Sequence, residues 1–218
     1  MPLDCPVTDM PHTTAPVHYR VQLHDLHAHL FRVILTIAQP SARQRVSLPV
    51  WIPGSYLVRE FAKNLQQLRA RQGEESVAVH QLSKHQWEVD CEAGAPLELE
   101  YEVSAYDTSV RTAWLDARRG FFNGTSLLLR VHGQEALTHR LQVQASHEVP
   151  HWQLATGMTA VAVDEQGFGT YAAANYDELV DCPVEMGTFW SGHFNAGGVP
   201  HRFVVAGAPA SFDGERLL

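Results

Sequence analysis

His147-Glu148-Val149-Pro150-His151 spells H-E-x-x-H, the run in this chain that carries the letters of a zinc site. That chemistry needs a helix. Two histidines at i and i+4 on one helical face hold the ion, and the glutamate lies beside the metal-bound water. Pro150 works against it. Inside a helix, proline removes a backbone hydrogen bond and clashes with the preceding turn, at about 3 kcal/mol or more. It also biases Val149 towards extended backbone. Leu141, Val143 and Ala145 alternate with polar residues as a strand does, and a strand would hold the two histidines about 13 Å apart. A further glutamate ligand would be needed downstream, where Thr170 stands. The expectation is a strand end with two surface histidines. A small hydrolase using His147, His151 and zinc is the weakest reading of the chain.

Other reactive side chains lack a frame. His24, His27 and His29 cluster on what reads as strand–turn–strand, with His27 and His29 sharing a face. No cysteine or carboxylate at ligand spacing joins them, so they read as exposed histidines. Cys5, Cys91 and Cys182 form no C-x-x-C pair and read as reduced thiols. Cys182, before Pro183, lacks the electropositive setting that activates a thiol. There is no G-x-S-x-G elbow and no phosphate-binding glycine loop; Gly167-Phe168-Gly169 lacks the third glycine. Trp51, Tyr56, Trp114, Phe121, Phe122 and Trp190 would suit a groove, but large aromatics first suggest core packing.

The elements that would position these residues are strands. Leu97, Leu99, Tyr101 and Val103 alternate with Glu98, Glu100, Glu102 and Ser104, which predicts one apolar and one charged face. Similar rows run through Tyr19–Leu23, Phe31–Ile37, Val46–Ile52, Trp87–Val89, Leu141–Ala145 and Phe203–Val205. Turn signals separate them, at Gln39-Pro40-Ser41, Ala93-Gly94-Ala95-Pro96, Asn123-Gly124, Asp164–Gly167 and Asn195–Pro200. Helix signals are few: Gly54–Asn64 capped by Ser55, a turn at Asn175–Val180, and a start at Ser211–Leu218. The fold class is therefore all-β, a two-sheet sandwich or a saddle-like curved β domain with one or two short helices.

Bulk properties narrow the partners. The 218 residues are 45% hydrophobic and 18% charged, as in a globular domain, and suffice for one all-β unit. The net charge of −8 argues against a nucleic-acid partner. No signal-peptide core and no apolar run of about 18 residues is present. No membrane partner and a cytoplasmic location are expected.

Three segments carry a resemblance. Leu48–Asn64 (LPVWIPGSYLVREFAKN), Gly120–Leu127 (GFFNGTSL) and Tyr176–Gly187 (YDELVDCPVEMG) occur in this order. They resemble signature blocks of the N-terminal domain of family M61 zinc metallopeptidases, the glycyl aminopeptidase type. Cys182 departs from the serine usual there. The resemblance implies a β domain like that of M1 aminopeptidases, packed on a separate catalytic domain. Residues 1–18 would be a flexible extension and 19–210 the M61 N-terminal β domain. Residues 211–218 would begin a linker or helix leading to a catalytic domain absent from the chain.

On this reading the chain carries no catalytic residue and no cofactor, and zinc belongs to the missing catalytic domain. Its partners are that domain and a peptide substrate. Phe122, Asn123, Gly124 and Thr125 are implied candidates for one wall of the substrate cleft. Glu178 and Asp181, with Glu185, are carboxylates suited to a substrate ammonium. Trp51, Pro53, Gly54, Tyr56, Arg59 and Glu60 are implied structural residues, with Trp51 and Tyr56 pinning the Pro53-Gly54 turn. A free-standing β-sandwich that binds peptide or carbohydrate is the alternative.

Overall fold

The computed structural model describes residues 16–209 and 211–218. Most of the expected N-terminal extension, including Cys5, lies outside the described residues. The strands in order are β1 (Val17–Asp25), β2 (Leu30–Ile37), β3 (Arg43–Ser47), β4 (Leu65–Gln72), β5 (Glu75–Val77), β6 (Val79–Ser83), β7 (Gln86–Asp90), β8 (Leu97–Ser104) and β9 (Ala113–Leu115). They continue as β10 (Arg119–Phe122), β11 (Arg130–Val131), β12 (His139–Val143), β13 (Gln153–Thr156), β14 (Thr159–Val163), β15 (Gly169–Ala173), β16 (Val184–Gly187), β17 (Phe189–Ala196) and β18 (Val199–Ala206). Two short helices, α1 (Gly124–Leu127) and α2 (Tyr176–Asp181), interrupt them. The expected all-β class holds.

An eight-stranded sheet runs β14-β15-β12-β1-β2-β8-β4-β5. Two four-stranded sheets, β13-β16-β10-β9 and β11-β3-β7-β6, share one hydrophobic core with it. Period-two alternation explains that core. Tyr19 and Val21 of β1, Phe31, Val33 and Leu35 of β2, and Leu99 and Tyr101 of β8 point inwards and are buried. Phe31 meets Phe122 edge to face across the core.

The segment Leu127–Leu129 runs through the core where its carbonyls lack sheet partners. Three buried tyrosines supply them. Tyr101 donates to Leu127 O (2.8 Å), Tyr176 to Leu128 O (2.8 Å) and Tyr19 to Leu129 O (2.6 Å). Each hydroxyl thereby removes the cost of a buried, unpaired carbonyl.

Three expectations need correction. The Val46–Ile52 row does not continue as a strand, because β3 ends at Ser47 before Pro49, which has no N–H for a ladder. Leu48 and Ile52 are still buried. Gly54–Asn64 is not a helix. Gly54 adopts φ +76°, and only Phe61–Asn64 winds into one 3-10 turn. Glu102 lies on the same face as Glu100 but is not exposed there. It is buried and accepts hydrogen bonds from Arg32 Nη2 (3.1 Å) and Gln67 Nε2 (3.0 Å), where β4 bulges and Gln67 takes φ +56°.

The last hairpin, β17–β18, forms its own two-stranded sheet. Gly197 and Gly198 make its turn with φ of +57° and +82°, the paired positive values of a tight hairpin. The expected start of a helix near the C-terminus is a 3-10 turn at Glu215–Leu217.

Candidate docking surface and cleft residues

The Trp51–Glu60 loop is held by polar contacts. Ser55 N donates to Ile52 O (3.2 Å) and Arg59 N to Val50 O (2.6 Å). Trp51 Nε1 donates to Ser55 O (2.7 Å), and Arg59 Nε donates to Ser55 Oγ (3.0 Å). Glu60 pairs with Lys84 (3.0 Å), and this hydrogen-bonded ammonium lowers its carboxyl pKa. Trp51 does pin the turn. Tyr56 does not: its side chain is fully exposed, and Leu57 and Val58 beside it are 64% and 76% exposed. Trp51 itself is 54% exposed. Local hydrogen bonds therefore fix the backbone while four large apolar side chains face outwards.

The two sets of cleft candidates lie against each other. Asn123 is the N-cap of α1, and its Oδ1 accepts from Thr125 N (3.1 Å) and also from Thr125 Oγ1. The Asn-Gly pair thus starts a helix instead of making the expected turn. Phe122, Gly124 and Thr125 are buried, while Asn123 is half-buried. Gly124 packs on Val180 of α2. Asn175 caps α2 by accepting from Glu178 N (2.8 Å). Glu178 Oε2 in turn accepts from Ala174 N (2.7 Å), the residue before the cap. Asp181 is exposed at the end of the same helix. Glu185 is engaged in a two-pronged pair with Arg119, at 2.7 Å for each bond.

An aromatic stack stood outside these motifs. Tyr106, largely exposed, stacks on Trp114 (centroids 4.7 Å apart) and tilts against His29 (4.3 Å). His29 holds φ +59° in the β1–β2 connection and donates from Nδ1 to Leu115 O (2.5 Å). It therefore does not share a strand face with His27, which lies in the turn. Trp114 also lines a cavity of about 630 Å³ with Arg119, Glu185, Phe189 and Trp190, beside the β17–β18 hairpin. Tyr106 and Trp114 are also paired by an isolated antiparallel β-bridge.

His147–His151 forms a turn between β12 and β13, with Trp152 N bonded to Val149 O (3.1 Å). Val149 is buried and both histidines are exposed. Among the described residues no group of three His, Cys, Asp or Glu side chains could hold a metal. The donor set does not fit zinc, because the helix that would align these histidines is absent.

The sequence matches the Peptidase M61 N-terminal domain over residues 18–188. The chain belongs to the M61 peptidase family. This M61 domain superposes on the crystal structure of an aminopeptidase N family protein from Idiomarina loihiensis with a TM-score of 0.88 and 41% identity. The match covers 92% of this chain and 34% of the other, so the M61 chain spans about a third of that relative. Legionella pneumophila aminopeptidase A, solved with aspartic acid, gives a TM-score of 0.51 at 8% identity, over 87% of this chain and 23% of the other. That likeness is one of fold. No curated protein sequence matches the M61 chain. All three signature segments fall within residues 18–188, and β17 begins just beyond.

Proposed function

We propose that this M61 N-terminal domain serves a zinc-dependent aminopeptidase acting on peptides with small N-terminal residues. It is non-catalytic, docks on the catalytic domain and forms one wall of the substrate cleft. The zinc belongs to that catalytic domain, and a cytoplasmic location is part of the proposal. The observation that supports docking is the outward row of Trp51, Tyr56, Leu57 and Val58. Contiguous exposed apolar side chains on a rigidly held loop mark an interaction surface. For the cleft wall, the half-buried Asn123 and the exposed Glu178 and Asp181 are the members of the two candidate sets with a polar group towards solvent. Glu178 is partly committed to its helix cap.

The test is a double substitution, Tyr56→Ser with Val58→Ser, made in both the whole peptidase and the 218-residue chain. The whole enzyme should lose about tenfold or more in kcat/KM on glycyl and alanyl peptides, some 1.4 kcal/mol of transition-state stabilisation. The 218-residue chain should keep its unfolding midpoint, because the Tyr56 side chain is fully exposed in it. Unchanged kinetics in the whole enzyme would refute docking through this loop. Saturable binding of a peptide by the 218-residue chain, in the Trp114–Trp190 cavity, would favour a free-standing binding module instead.

A further inference from the structure

Charge is sorted across the outer face of the eight-stranded sheet. On the β8 side, carboxylates and guanidiniums neutralise one another. Glu98 pairs with Arg71 (2.7 Å), and Arg32 reaches both Glu100 (3.5 Å) and Glu102 (3.1 Å). On the other side of β2 stand His18 and Arg20 of β1 and Arg140 of β12. The parallel register sets His18 directly opposite Arg140, with Arg20 one step along the same face. Neighbouring outward positions are neutral: Gln22 on β1, Ile34 and Thr36 on β2, Gln142 on β12, and Thr170 and Ala172 on β15.

Among the described residues neither Arg20 nor Arg140 pairs with a carboxylate, and the Nε of each is buried without an acceptor; Arg32 Nε also lacks one, but its guanidinium is paired with Glu102. Both residues are half-buried. Like charges on adjacent strands repel, and a buried donor without an acceptor is costly. Two such arginines, diagonal to each other across the β1–β12 register, are unusual in a chain of net charge −8. Burial lowers the pKa of His18, and the fields of Arg20 and Arg140 lower it further, so both guanidiniums bear on its ring.

We propose that His18, Arg20 and Arg140 form a binding site for an oxyanion, a carboxylate or phosphate group carried by a ligand. Such a group supplies the missing acceptors and cancels the repulsion, in the charge-assisted geometry that arginine favours. It would also stabilise the imidazolium form of His18, so anion binding and protonation of this ring are linked. The site is independent of the docking surface above.

The experiment titrates the 218-residue chain with inorganic phosphate and, separately, with succinate, at ionic strength held constant by sodium chloride. It follows the Arg20 and Arg140 Nε–H signals and the His18 ring by NMR. The expected result is a saturable shift of both arginine signals, a higher pKa for His18, and binding at least about tenfold weaker in Arg140→Gln. Saturation by phosphate alone assigns the phosphate class, and by succinate alone the carboxylate class. Shifts that merely follow ionic strength, or a His18 titration unmoved by either anion, would overturn the proposal. The His18 readout needs no variant, so misfolding of Arg140→Gln leaves the test intact.

Discussion

Gly124 lies against the backbone of Val180. A Cβ built on Gly124 would stand 2.8 Å from Val180 Cα and 3.2 Å from Leu179 O. These atoms belong to a helix and cannot swing away as a side-chain tip can. Gly124→Ala should therefore push α1 from α2 and destabilise the domain by about 1–3 kcal/mol, the usual cost of overpacking. Urea unfolding would measure it. An unchanged midpoint would mean that the two helices do not touch as described.

Asn123 has a structural task whatever it does in a cleft. Its Oδ1 caps α1 through Thr125 N. Asn123→Ala should cost about 1 kcal/mol, whereas Asn123→Asp should keep most of the cap. Equal losses for the two variants would show that the side-chain amide, not the carbonyl oxygen, matters for stability.

Tyr101 both donates to Leu127 O and accepts from Leu129 N (3.2 Å). Tyr101→Phe preserves the ring but strands a carbonyl and an amide in the core. The expected loss is about 1–3 kcal/mol, larger than for a typical surface hydroxyl. Thermal or denaturant unfolding of this variant decides the point.

His139 should make stability depend on pH. It is fully buried between the rings of Tyr19 and Tyr176, with Nδ1 bonded to Leu137 O (2.7 Å) and Nε2 without a partner. Burial lowers its pKa below the ordinary 6.5. Below pH 6.5 the unfolded chain takes up this proton more readily than the folded one. Stability is thus complete above that pH and falls as the pH drops towards the lowered folded value. His18 and His132, also lowered mainly by burial, add to the same slope. His139→Phe should flatten the slope below about pH 6.5 without abolishing it. An identical slope in the variant would remove His139 from this account.

Much of the fold was legible in local pattern. Alternation marked β1, β2, β8 and β12, because a half-buried strand must place every second side chain in the core. Pro150 disqualified the H-E-x-x-H letters, because proline's lost N–H and ring clash are local facts. The α2 turn and the Gly197-Gly198 hairpin followed from capping and positive-φ chemistry. Where local rules met long-range partners, reading failed. Asn-Gly has the same letters at a hairpin and at a helix cap, and the contact of Gly124 with α2 accompanies the cap here. Glu102 shares the alternation of Glu98 and Glu100, yet a β4 bulge and Gln67 bury it.

The amino-acid sequence by itself determined the all-β class, most strand faces and the family signature, since these depend on neighbours a few positions apart. Only the tertiary structure decided which signature side chains are spent on structure. Trp51 and Tyr56 look alike in sequence, but the Trp51 indole bonds to Ser55 while Tyr56 stands free. The same holds for the unneutralised pair Arg20 and Arg140, 120 positions apart in the chain and diagonal neighbours on adjacent strands of one sheet. Burial, pairing and unmet hydrogen bonds depend on which distant strands meet, and no local period encodes that.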